Sequence, residues 1–289
     1  MSWSAADIPD QAGRTFVVTG ANSGLGAATV RALTARGAHV VLACRNAKKA
    51  QAVAAAIDGS TEVRPLDLAD LSSVRAFAAD CGNVDALINN AGVMAVPKGR
   101  TADGFEMQLG TNFLGHFALT ALLLPKIAHR VVTLSSGVHR SGHIDLDDLN
   151  WHKRRYRRWA AYGQSKLADL MFALELQRRL EVTGSPVISV AAHPGYAATE
   201  LQSHTETLMD RLMAIGNRLV AQNADRGALP TLYAATMPDV AGGDYWGPDG
   251  IGELRGAPKR VGMSKAAKDT AVAAKLWRKA ENLTGEDCP

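Results

Sequence analysis

The feature that most constrains this chain is a regular alternation of two kinds of segment. Short apolar runs rich in β-branched residues occur at Thr15–Thr19, His39–Ala43, Glu62–Leu66, Ala86–Ile88, Val131–Leu134 and Val187–Ala191. They carry apolar residues on both faces, as buried parallel strands do. Between them lie Ala- and Leu-rich stretches with helical spacing: Leu25–Arg36, Ala47–Ile57, Ser72–Ala79, a longer one around Phe105–Ile127, and Trp159–Glu181. Strand–helix alternation predicts an α/β fold: a doubly wound parallel sheet with helices on both faces. The 289 residues show no linker, repeat or low-complexity tract, so one domain is expected. Its core would span about 12–250, with a C-terminal tail over about 251–289, and everything after about Gly242 would close the sheet edge and then trail off. Leu208, Leu212, Ile215 and Leu219 mark an amphipathic helix within 196–223, read equally as core packing or as a substrate lid.

Composition narrows the class. Apolar residues make up 47% and charged residues 21%, which excludes a disordered chain. Cys44, Cys81 and Cys288 are odd in number and widely spaced, so a reducing, cytoplasmic setting is expected rather than a disulfide framework. Met1 to Asp10 carries no base, which argues against a signal peptide. Runs such as Ala118–Pro125 are too short to span a membrane, so no membrane anchor is expected. The eight histidines are scattered and no metal-ligand spacing occurs, so no metal is expected. Neither a GxSxG elbow nor a GxxxxGK[ST] loop is present, which disfavours a serine hydrolase and a P-loop NTPase.

The first strand runs into Thr19-Gly20-Ala21-Asn22-Ser23-Gly24-Leu25-Gly26 and then a helix. Glycines allow a tight turn and close backbone approach, and a helix N-terminus offers N–H groups and a positive dipole to a pyrophosphate. Gly20, Asn22, Ser23, Gly24, Leu25 and Gly26 are therefore candidate dinucleotide contacts. The second strand ends Cys44-Arg45-Asn46, where the adenosine ribose should lie. An acid there would accept from a 2′-hydroxyl, whereas Arg45 suits a 2′-phosphate, so NADPH is expected over NADH. Asp67, followed by Leu68, lies just past the third strand, where the adenine is expected.

These residues resemble the short-chain dehydrogenase/reductase family from about Ala12 to Gly250. The motifs are the TGxxxGxG form at Thr19–Gly26, Asn89-Asn90-Ala91-Gly92 after the fourth strand, Asn112 in Thr111-Asn112-Phe113, the pair Ser135-Ser136, Tyr162-Gly163-Gln164-Ser165-Lys166 as YxxxK, and Pro194-Gly195 with Thr199 beyond. Ser136 and Tyr162 are 26 residues apart, roughly double the usual separation. That long loop and the Ala43–Arg45 stretch resemble the retinol-dehydrogenase-like, WW-domain-oxidoreductase-like and protochlorophyllide-reductase-like branch.

The resemblance implies a Rossmann-type fold and NAD(P)(H)-dependent interconversion of an alcohol and a carbonyl. Tyr162 and Lys166 are i and i+4 on a helix, so they share one face. Of the five tyrosines, only Tyr162 has a lysine four residues on. Free tyrosine titrates near about 10. The Lys166 ammonium and the positive nicotinamide ring are expected to lower that and make Tyr162 the acid/base. Ser136 would orient the reacting oxygen, Lys166 would hold the nicotinamide ribose, and Asn112 would position a water leading to Lys166. Ser135 would face away. Asn90 is either scaffold or a direct contact beside Ala91 and Gly92. Pro194 and Gly195 should pass the nicotinamide amide, and Thr199 would cap the next helix or bond the cofactor. Substrate should meet Met94, Val96, Val138, His139 and Tyr196, which suits a largely apolar small molecule.

A rival reading is a non-catalytic NADP-binding sensor on the same fold, for which the full Ser136, Tyr162 and Lys166 set would be superfluous. Relatives often pair through the two long helices, so a homodimer is possible.

Thirty-two Lys and Arg against 28 Asp and Glu give +4, too little to argue for nucleic acid. The surplus is local. Trp151–Trp159 holds five bases and no acid, and Arg255–Lys268 holds five more. The first segment ends three residues before Tyr162. It reads as a solvated face, as steering for an anionic substrate or cofactor, or as a contact for nucleic acid or an anionic membrane.

Overall fold

The computed structural model describes residues 2–196 and 223–288. Alternation within each strand sends side chains to two cores. Val17, Val41, Leu87, Val131 and Ala191 point into one, while Phe16, Val18, Val40, Leu42, Ile88, Val132 and Val190 point into the other. Both faces of the sheet therefore need a helical cover, and the chain supplies it.

The strands are β1 (Thr15–Thr19), β2 (His39–Cys44), β3 (Thr61–Pro65), β4 (Val84–Asn89), β5 (Ile127–Leu134), β6 (Ile188–Ala192), β7 (Tyr245–Pro248) and β8 (Pro258–Arg260). They form one sheet in the order β3-β2-β1-β4-β5-β6-β7-β8, parallel except for β8 against β7. The helices are α1 (Gly24–Thr34), α2 (Ala47–Ala55), α3 (Leu71–Asp80), a composite α4, α5 (Arg158–Val182), α6 (Leu229–Thr236) and α7 (Thr270–Thr284). Composite α4 runs through Met107–Leu109, a π turn at Gly110–Leu114, and Gly115–Leu123. The order reverses direction between β1 and β4, so the carboxyl ends of those strands frame the crevice where a dinucleotide binds in such sheets.

The segment after β8 does not trail off, contrary to the tail expected from its lysines. Asp269 accepts from the Val272 N–H at its start, and Gly285 ends α7 in the left-handed region at φ +72°. Ala273, Leu276, Trp277 and Ala280 are buried on one side. Trp277 stacks on Phe172 of α5 at 5.6 Å and meets Phe117 of α4 edge-on at 5.0 Å. Thus α7 covers part of the two long helices. The amphipathic stripe Leu208–Leu219 and Thr199 lie outside the described residues. No helix among the described residues is long and apolar enough to cross a membrane, and none of their His, Cys, Asp and Glu side chains form a metal-holding group.

Candidate active site

The glycine loop is shaped by close approach. Gly20 sits at φ +65°, and a Cβ there would fall 2.9 Å from the Ala91 Cα. A Cβ on Gly26 would fall 2.4 Å from the Gly20 carbonyl oxygen and 2.8 Å from Asn90 Nδ2. The loop turns into α1 at Ser23, whose side chain makes no capping bond. The first N–H groups of this 11-residue helix thus donate no bond to that side chain.

A cleft of about 290 Å³ opens there, lined by Gly20, Asn22, Ser23, Arg45, Asp67, Leu68, Ala91 and Gly92 among the expected residues. Ala43, Asn46, Lys49, Leu66, Val93 and Thr111 complete its wall. Gly24, Leu25 and Gly26 shape the loop from behind without lining the cleft. Asn90 does not line the cleft, and its Nδ2 donates to the Thr19 carbonyl at 2.7 Å. Pro194 and Gly195 also lie off this cleft, after β6. Gly195 has φ +67° and packs so closely on Glu253 and Leu254 that a Cβ would fall 2.5 Å from the Leu254 carbonyl oxygen. Its N–H donates to His193 Nδ1 at 3.2 Å, and His193 Nε2 donates to Glu253 Oε2 at 3.0 Å.

Ser136, Tyr162 and Lys166 come together. Ser136 follows β5 and accepts from the Val138 N–H at 3.3 Å. Tyr162, 7% exposed on α5, has its hydroxyl beside the Ser136 side chain. Lys166, 6% exposed, lies one turn on, donating to the Leu134 carbonyl at 2.9 Å and to Asp169 Oδ2 at 2.7 Å. Ser135 faces away and donates to the Lys166 carbonyl at 2.7 Å. Trp159, 44% exposed, meets Tyr162 edge-on at 6.1 Å.

The expected lowering of the Tyr162 phenol is not what the protein alone provides. Burial holds it above the ordinary tyrosine range, outweighing the downward pull of Lys166 and of the Ser136 hydroxyl, and Asp169 pushes it up further. Burial works against the Lys166 ammonium, but Asp169 and the phenol outweigh it and raise the lysine. Burial lifts the Asp169 carboxyl to about 6 against the attraction of Lys166. A carboxylate three residues after the lysine was not singled out from the sequence, although i+3 spacing places it on the same face.

Asn112 is buried on the π turn of α4 and bonded to the segment after β4. Its Oδ1 accepts from the Val93 N–H at 2.7 Å, and its Nδ2 donates to the Val93 carbonyl at 3.0 Å and to Ser165 Oγ at 2.9 Å. The Asn112 carbonyl accepts from His116 Nδ1 at 2.7 Å. The side chain clamps the strand end that carries Gly92 and Val93. His116, another residue the sequence did not flag, stands one helical turn from Asn112.

The substrate side also changes. Met94, Val96 and Val138 are half-buried near the site. His139 is not with them. It is fully buried, bonded through Nδ1 to the Ser136 carbonyl at 2.7 Å and accepting at Nε2 from the Ser264 N–H at 3.3 Å. It braces Ser136 from behind.

The long basic loop is folded rather than loose. Asp148 accepts from the N–H groups of His152, Lys153 and Arg154, and burial does not prevent these bonds from holding its carboxyl at about 2. The Arg154 guanidinium lies 3.9 Å over the buried Trp151 ring and bonds Asp148 and Gln164. The Tyr156 hydroxyl donates to Glu106 and accepts from Gln108 Nε2, both at 2.9 Å. Gln108 Oε1 in turn accepts from the Ala95 N–H at 2.8 Å. The loop therefore braces the 93–97 wall, and only Lys153, Arg155 and Arg157 of its five bases are exposed.

Residues 14–209 match the short chain dehydrogenase family. The chain is 44% identical to human (Homo sapiens) retinol dehydrogenase 13, covering 99% of this chain and 88% of that one. It is 40% identical to polyprenol dehydrogenase of Mus musculus, covering 96% and 86%. An uncharacterized protein from Mycobacterium Paratuberculosis, known as a crystal structure, has 52% identity and a TM-score of 0.88 over the whole of both chains. The expected branch is the one in which these relatives fall, and the chain belongs to the short chain dehydrogenase family and is an oxidoreductase.

Proposed function

We propose that the protein interconverts a carbonyl and an alcohol on a largely apolar small molecule, using NADP(H), with Tyr162 as acid and base. The observation that carries this reading is the buried Tyr162 side chain, with its hydroxyl beside Ser136 and one helical turn from Lys166. The glycine cradle, the α1 N-terminus and the cleft beside them fit a dinucleotide. Gly20, Asn22, Ser23, Ala91 and Gly92 would hold its phosphates and nicotinamide ribose, and Asp67 and Leu68 its adenine. Arg45 and Lys49 both line the cleft at the end of β2, where a 2′-phosphate would lie, which supports NADP(H). When bound, the nicotinamide supplies or takes up the hydride.

The chain's own residues manage the proton and the oxygen. Ser136 donates to the substrate oxygen and fixes its position. Tyr162 gives its proton to that oxygen in reduction and takes it back in oxidation. Burial keeps the phenol protonated, which favours its use as a donor. Lys166 holds positive charge beside the phenol and stabilises the phenolate once the proton has left. Asn112 fixes Val93, and with it one wall of the site. Retinol and polyprenol, named in the relatives' activities, are apolar alcohols, and Met94, Val96 and Val138 offer an apolar wall.

The test is binding and turnover together. NADPH should bind more tightly than NADH, and NADPH oxidation should be seen with apolar aldehydes or ketones. Tyr162→Phe should lose turnover and keep NADPH binding. Turnover retained in that variant would overturn the assignment.

A further inference from the structure

Asp169 is a buried carboxylate that the reaction as described does not use. It is 1% exposed, its Oδ2 lies 2.7 Å from Lys166 Nζ, and its Oδ1 is closed to solvent with no hydrogen-bond partner among the described residues. A buried carboxylate with one oxygen unpaired is a poor device for stability, because an apolar residue of similar size would avoid its desolvation. Its placement points instead to the lysine. Two of the three Lys166 N–H donors are spent on Asp169 and the Leu134 carbonyl. The third is spent on neither, and a Cβ on Gly92, which lines the cleft, would stand 3.7 Å from Nζ.

We propose that Asp169 is a positioning residue for the reductase chemistry: it orients the Lys166 ammonium with one donor toward the cofactor ribose and offsets its charge so that Tyr162 stays protonated as a proton donor. This rests on the reading of Tyr162 as the acid. The physical ground is Coulombic. An unscreened ammonium beside a buried phenol favours the phenolate, and a carboxylate in contact with that ammonium cancels much of the effect. Few other groups intervene. Ser136 and Trp159 face Tyr162 but do not titrate. Tyr245 of β7 is itself kept protonated by burial, with Arg140, Glu253 and the neutral His139 beyond it. His116 of α4 faces Lys166 and is kept neutral by burial.

Asp169→Asn keeps the shape and removes the charge. In that variant the alkaline limb of the pH profile for carbonyl reduction should move to lower pH by about one unit. A folded, active Asp169→Asn protein with an unmoved profile would overturn the proposal and leave Asp169 a structural residue. A second measurement uses the unsubstituted protein without cofactor. The ultraviolet difference titration between it and Tyr162→Phe isolates the Tyr162 phenol. Ionisation above the ordinary value of about 10 is expected, and ionisation a unit or more below it would overturn the proposal even if Asp169→Asn failed to fold. Should Tyr162→Phe itself turn over substrate, the functional reading fails. If that variant is inactive while the Asp169→Asn profile is unmoved or the phenol ionises a unit or more below about 10, only the role of Asp169 fails.

Discussion

His116 ties the glycine loop to the π turn of α4: its Nε2 lies 2.9 Å from Thr19 Oγ1, while its Nδ1 lies 2.7 Å from the Asn112 carbonyl. A carbonyl can only accept, so Nδ1 carries the proton, and Nε2 accepts from the Thr19 hydroxyl. That hydroxyl also accepts from the N–H groups of Asn90 and Ala91, both at 2.9 Å. One neutral imidazole thus links three of the segments that border the cleft.

This arrangement makes the fold acid-sensitive. Burial lowers His116 to about 3, and burial lowers His193 to about 4 despite Glu253. Both folded values lie below the unfolded value of about 6.5. Their stabilisation is therefore complete above that pH and is lost as the pH falls toward the folded values. Burial raises Asp169 to about 6, which acts in the opposite sense below that pH and offsets roughly one of the two histidine protons. From these three groups, unfolding near pH 5 should take up about one net proton. Urea unfolding between pH 7 and 4.5 checks this, and stability constant or rising toward acid would refute the neutral imidazoles.

Cofactor choice should depend on two cations. Arg45 and Lys49 line one end of the cleft, four residues apart. Arg45→Asp should cost at least about tenfold in NADPH affinity, about 1.4 kcal/mol, and leave NADH binding nearly unchanged. Adding Lys49→Glu should deepen the loss. Fluorescence titration with both nucleotides measures it, and an unchanged NADPH-to-NADH ratio would remove Arg45 from the 2′-phosphate site.

Gly26 is the tightest point of the loop. Its added methyl would press on the Gly20 carbonyl and on Asn90 Nδ2, neither of which can retreat without moving the loop. Gly26→Ala should therefore weaken nucleotide binding by more than tenfold and lower stability by about 1–3 kcal/mol. Gly82→Ala, where a Cβ meets nothing within 4 Å, is the control and should change binding little.

What could be read from the sequence divides along physical lines. The six β-branched runs and the helices between them were legible because period and burial agree there, as in Thr15–Thr19 with α1. The last two strands, Tyr245–Pro248 and Pro258–Arg260, were not, since their glycine, prolines and bases carry no strand pattern. The motifs brought Ser136, Tyr162 and Lys166 to one place, but their neighbours escaped. An aspartate on a helix reads as a surface residue, so Asp169 carried no signal beyond its spacing from Lys166. His139 looked like a substrate contact because it follows Ser136, whereas the turn at Gly137–Ser141 folds it inward. Within the basic loop, sequence could not tell Arg154, stacked on Trp151, from its exposed neighbours.

The last prediction concerns α7 and assembly. Trp277 is 2% exposed and packs on Phe172 and Phe117, so it caps the face formed by α4 and α5. A pair formed through those two helices would have to displace a fully packed tryptophan, with the Arg179 guanidinium 4.4 Å above it. Light scattering should accordingly find no dimer held through that face. Trp277→Ala should cost about 3–5 kcal/mol of stability and expose the aromatic cluster, with dye binding or self-association as its visible consequence. A stable dimer of the unsubstituted protein that protects α4, α5 and α7 from hydrogen exchange would show instead that α7 belongs to the interface.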